Sequence, residues 1–107
     1  MTDKELITLA AKAAGIEIGW DSQGAFLYEP EICALSDAWN PLTDDGDALR
    51  LAVKLEIYAI VAADLGVVSA RIRNGARMSW RENINDDPYA ATRRAIVRAA
   101  AQIGGTL

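Results

Sequence analysis

Three stretches of the chain place apolar residues at helical spacing. Behind Thr2-Asp3-Lys4-Glu5, a pattern that lets a threonine hydroxyl and a glutamate three positions later cap each other, come Leu6, Leu9, Ala10 and Ala13. Gly15 can adopt the left-handed conformation that ends a helix, so a first helix is predicted over 3–14. In the second stretch Pro41 forces Asn40 out of the α region, and Thr43 or Asp44 supplies an N-cap. Asp44, Asp45 and Asp47 then place negative charge on the positive end of the helix dipole. Ala48, Leu49, Ala52, Val53 and Leu55 form the predicted buried stripe of a helix over 44–55, with Asp47, Arg50 and Lys54 on the opposite face. The third helix, 88–103, starts at Asp87-Pro88 and ends at Gly104-Gly105. Its stripe of Ala91, Ala95, Ile96, Ala99, Ala100 and Ile103 is mostly small, which allows a close approach to a neighbour, while Arg94, Arg98 and Gln102 line its polar side.

Between the second and third helices the period changes from helical to alternating. Val68, Ala70 and Ile72 fall on one face and Ser69, Arg71 and Arg73 on the other, ahead of an Asn74-Gly75 turn signal. A three-residue loop, Arg73-Asn74-Gly75 with Gly75 left-handed, pairs Ile72 with Ala76, Ala70 with Met78 and Val68 with Trp80, and keeps one face apolar. Working back through the Ala63–Gly66 turn pairs Val61 with Val68 and Ala59 with Ala70. An antiparallel meander over residues 57–82 follows, with Ile57, Ala59, Val61, Val68, Ala70, Ile72, Met78 and Trp80 on its buried side. Ile16-Glu17-Ile18 and Ala25–Tyr28 are short strand candidates about the Asp21–Gly24 turn, able to extend that sheet. The run Glu29–Pro41 has no sustained period and reads as an irregular segment anchored by its aromatics. The predicted fold is therefore one α+β domain over 1–107, an αβα sandwich-like packing of this sheet with three helices.

Composition narrows the chemistry. The chain of 107 residues contains no histidine and one cysteine, which removes the commonest general base and metal ligand and every Cys-rich zinc pattern. No cofactor and no metal is expected. Cys33 has no base to activate it and reads as a small buried hydrophobe. The carboxylate pairs Glu29/Glu31 and Asp86/Asp87 each lie beside a proline and read as loop or cap rather than acid–base machinery. The acidic run at 44–47 lacks the alternating ligands of a calcium loop. Trp39 and Trp80 are expected in the core, and Trp20 is open to either reading. No apolar run is long enough to cross a bilayer, and the first fifteen residues do not resemble a signal peptide. The expected compartment is a reducing cytosol.

The segments "WNPLTDDGDALRLAVKL" (39–55) and "DPYAATRRAIVRAAAQIG" (87–104), about a third of the chain, resemble small proteins of tailed phages and prophages grouped as the phage ABA sandwich domain. The resemblance implies a phage or prophage origin, hence the host cytosol, and helices flanking a sheet. It implies no activity and carries over no catalytic or binding residue.

Charge suggests where a partner docks. The total of −4 is divided unevenly: residues 1–47 carry a net −8 and residues 48–107 a net +4. The alternating pattern sets Arg71, Arg73, Arg77 and Arg81 on one outward stripe of the meander, with Arg71 facing Arg77. Like charges directly opposite repel, so an acidic surface is expected against them, from the N-terminal half, a second copy or phosphate. Tyr58 and Ile60 add an apolar patch beside the stripe, a mixture suited to protein contact. The expected function is a non-enzymatic accessory protein acting by protein binding or self-association. The alternative is a nucleic-acid-binding module using the arginine face, against which stand the acidic total and the absence of a named motif.

Overall fold

The helices begin where cap chemistry places them. In a computed structural model describing residues 1–73 and 79–107, helix α1 spans Asp3–Ala14, and the Thr2 side chain accepts the Glu5 backbone N–H at 3.1 Å. Gly15 closes it at φ 69°. Helix α2 spans Asp45–Leu55 with Asp44 as N-cap, its carboxylate accepting the Asp47 N–H at 2.8 Å. Helix α3 spans Pro88–Gly105, capped by Asp87. It runs two residues past the expected end, because Gly104 is not a terminator. Gly104 is buried against α1, where any Cβ would collide with the Leu9 carbonyl. With Ala91, Ala95, Ala99 and Ala100 also buried, α3 lies close enough to α1 that backbone meets backbone.

The chain is α+β, with three α-helices and two separate three-stranded antiparallel sheets among the described residues. The first sheet joins β1 (Ile18–Asp21), β2 (Gly24–Glu29) and β3 (Ala34–Ala38). Its strands form a sheet of their own instead of extending the meander, and β3 lies in the stretch expected to be irregular. A register shift between β2 and β3 breaks the alternation there. Ile18, Trp20, Ala25 and Leu27 turn toward the helical core, and Lys4 of α1 sits 5.1 Å from the centre of the Trp20 ring.

The second sheet joins β4 (Ile57–Ala62), β5 (Val67–Ile72) and β6 (Ser79–Asn83), with a 3-10 turn at Ala63–Leu65 between the first two. Val61 pairs with Val68 and Ala59 with Ala70, as the alternation predicts. The β5–β6 register differs from the expected one by two residues: Ala70 faces Trp80, and Arg71 faces Ser79 rather than Arg77. A two-residue slip leaves every side chain on its own face, so polarity cannot distinguish the two registers. The expected Gly75 turn, with Ala76, Arg77 and Met78, lies outside the described residues. Val68, Ala70 and Ile57 are buried against α3.

Candidate functional site

The Trp39-Asn40-Pro41 stretch answers to folding. Trp39 is 4% exposed, and its backbone N–H donates to Ala25 O at 3.0 Å, tying the first sheet to the approach of α2. Asn40 Oδ1 accepts the Leu42 N–H at 2.9 Å, and the Asn40 N–H donates to Asp47 Oδ2 at 3.0 Å. Asp47, expected on the solvent face of α2, is 8% exposed because its carboxylate serves this turn and the Arg50 guanidinium, 2.8 Å away. A cleft of about 720 Å³ lies here, floored by Leu27, Trp39 and Leu51 and rimmed by Asp37, Asp44 and Arg50. The carboxylates of Asp44 and Asp47 are already committed to backbone N–H groups and Arg50, so the cleft reads as the outside of a cap network. Among the described residues, no group of three His, Cys, Asp or Glu side chains is placed to hold a metal ion. Cys33, expected to be buried, is exposed in a turn at φ 50°.

The acidic and basic halves do meet, but through other arginines than the stripe. Arg93 reaches Asp45 at 2.6 Å and Leu42 O at 2.8 Å, Arg94 reaches Asp3 at 3.1 Å, and Arg50 holds Asp47. Arg98 pairs with Glu82, which lies beneath the second sheet opposite Val68. Arg73 pairs with Glu56 at 3.4 Å. Arg71 and Arg81 make no ion pair within the described residues. Among the described residues, the N-terminal acidic half thus supplies no salt bridge to the meander's outer face.

That face can be laid out from the register. Tyr58 is opposite Arg71, which is opposite Ser79, and Ile60 is opposite Ser69, which is opposite Arg81. Tyr58, Ile60, Arg71, Ser79 and Arg81 are all exposed, and Arg73 follows at the end of β5. The face therefore brings together Arg71, Arg81, Tyr58 and Ile60, with Arg73 drawn to Glu56 at its margin; Arg77 is outside the described residues.

Sequence reasoning missed the other half of this surface. Ala59 and Val61, expected in the core, are exposed because α3 covers β5 and the start of β4 but not the rest of β4. Leu49 and Val53, also expected in the core, are 64% and 71% exposed; the buried residues of α2 are Asp47, Ala48, Leu51 and Ala52. Between them lies a groove of about 520 Å³, lined by Leu49, Val53, Ile57, Ala59 and Ile96. The available signal was width: apolar residues at 48, 49, 51, 52, 53 and 55 cover more of α2 than one buried face requires. Leu49 and Val53, four apart, form a second stripe of their own.

No helix among the described residues is long and apolar enough to cross a membrane. A scan against protein-family models and searches of curated proteins and of solved structures find no match to this chain.

Proposed function

We propose that this chain is a non-enzymatic binding protein whose working surface is β4 with its flanks: Tyr58 and Ile60 on the outer face, Val61, Leu49 and Val53 on the helix side. The observation that carries this reading is the concentration of large exposed apolar side chains around one strand. Singly exposed apolar residues are ordinary, but a contiguous set beside cationic groups has the composition of a protein contact. Arg71 and Arg81 extend the patch with guanidinium groups that have no ion-pair partner within the described residues. A chain without histidine lacks the commonest general base, and Asp44 and Asp47 at the cleft beside Trp39 are engaged in capping. In the phage or prophage setting that the resemblance implies, the role is that of an accessory protein acting by contact in the host cytosol.

A photo-crosslinking residue placed at position 58 or 60 tests this, with the exposed position 23, in the turn between β1 and β2, as control. Discrete protein adducts from 58 and 60, absent from 23 and indifferent to nuclease, are expected. Adducts that vanish with nuclease would transfer the function to nucleic-acid binding by the arginine face. Equal labelling at all three positions would remove the surface from consideration.

A further inference from the structure

Two three-stranded sheets have four edge strands, and natural proteins protect edges with charges, proline, bulges or brevity. Three of these edges are protected. β1 has four residues and ends on Asp21; β3 carries Asp37 and the bulge against β2; β6 presents Arg81 and Glu82. β4 has none of these devices. Its six residues, Ile-Tyr-Ala-Ile-Val-Ala, include no charge, proline or glycine, and its register with β5 is unbroken.

We infer that β4 pairs antiparallel with β4 of a second copy, about a two-fold axis at Ala59, joining the two meanders into one continuous sheet. The inference rests on the protein-binding reading above and names the partner. An antiparallel strand related to itself by a two-fold axis keeps each side chain on its own face only when directly opposed positions have the same parity. With the axis at Ala59, Tyr58 lies opposite Ile60 of the second copy on the outer face, and Ile57 opposite Val61 of the second copy on the helix side. These are aromatic–β-branched and β-branched pairs, the kinds that favour cross-strand contact, and the crowded centre falls on alanine.

The flanks agree with the same axis. Lys54 lies five residues before Ala59 and Asp64 five after; both are exposed, and neither makes an ion pair within the described residues. Two-fold pairing brings the end of α2 that carries Lys54 in one copy alongside the 3-10 turn that carries Asp64 in the other, so opposite charges flank the shared strand at both ends. Val53 and Leu65, six residues to either side, are each 71% exposed. The same operation carries Leu65 of the second copy toward the groove lined by Leu49 and Val53. The contact is isologous and closes on itself, so it yields a dimer rather than a filament.

Sedimentation equilibrium and thiol crosslinking test this together. The wild-type chain is expected to sediment as a dimer. Ile60→Lys, which charges the edge twice per dimer, is expected to raise the dissociation constant about a hundredfold or more with an unchanged far-UV spectrum. In a Cys33→Ala background, Ala59→Cys is expected to oxidise to a covalent dimer, because cross-strand neighbours at the axis stand about 4.5–5.5 Å apart, within disulfide reach. Asp64→Cys in the same background is expected not to, since its two copies would lie beyond opposite ends of the shared six-residue strand, whose C-terminal ends alone stand roughly 20 Å apart. Asp64→Lys is expected to weaken the dimer, and Lys54→Glu added to it to restore association. A wild-type chain that is monomeric at its highest soluble concentration, or a dimer indifferent to Ile60→Lys that forms no crosslink at position 59, overturns the inference. Adducts to a different protein from positions 58 and 60 would then leave the binding reading standing without the dimer.

Discussion

The two sheets share a topology, three antiparallel strands in sequence order, and differ in nearly everything that decides what a sheet can meet. The first is short and bulged. On its outer face Leu35 reaches over Gly19, so closely that any Cβ there would strike the leucine, with Phe26 and Tyr28 half-buried nearby. Its own side chains cover part of it, and its charges, Asp21, Glu29 and Asp37, are all acidic. The second is regular, lies with one face on α3, and among the described residues leaves its outer face and most of its first strand exposed. On the binding reading proposed above, the difference lies in what is left off β4: among the described residues it has no bulge, no charge and little cover.

The sheets also differ in how they are held, and that difference can be broken. The first sheet meets the helices through a few side chains and through the buried Trp39 that follows β3. Trp39→Ala is expected to cost about 3–5 kcal/mol in denaturant unfolding, as for other deleted core aromatics. Hydrogen exchange should lose protection first over residues 18–38, with 57–72 retained longer; equal loss in both sheets would mean that they unfold as one unit. Gly104→Ala acts between the sheets, by forcing α3 away from the Leu9 carbonyl. Overpacking of this kind is expected to cost about 1–3 kcal/mol and to lower protection in both sheets alike.

Asp44→Ala removes the α2 cap together with a long, exposed ion pair to Arg50 at 3.9 Å, with an expected loss of about 1 kcal/mol. Asp44→Asn should recover most of it, because an amide oxygen can still accept the Asp47 N–H; no recovery would assign the effect to charge. The smallest expected effect belongs to the second sheet's outer face. Arg71→Gln with Arg81→Gln should change stability by less than about 0.5 kcal/mol, in low or high salt, since neither guanidinium has an ion-pair partner within the described residues. A larger, salt-dependent loss would reveal an intrachain acidic partner and return the stripe to a structural role.

What the sequence determined by itself is local chemistry with a short reach. Thr2, Asp44 and Asp87 cap their helices because the accepting oxygen and the donating N–H lie within three residues of each other. The β4–β5 register followed from alternation across a tight turn, and the exposure of Tyr58, Ile60 and Arg71 followed from the same alternation. Tertiary structure decided whatever depends on a partner distant in the chain. Periodicity placed Leu49 and Val53 among apolar neighbours but could not say that Leu51 and Ala52 would be the ones buried instead. Gly104 carries the same two letters of meaning, terminator or contact, until Leu9 arrives beside it. Asp47 reads as a solvent-facing charge until the turn at Asn40 folds back to claim it. The β5–β6 register slipped by two because parity, the only long-range information in an alternating pattern, is unchanged by an even shift. The open edge of β4 belongs to both: its composition was written in the chain, but only the packing of α3 onto β5 shows that nothing in this molecule covers it among the described residues.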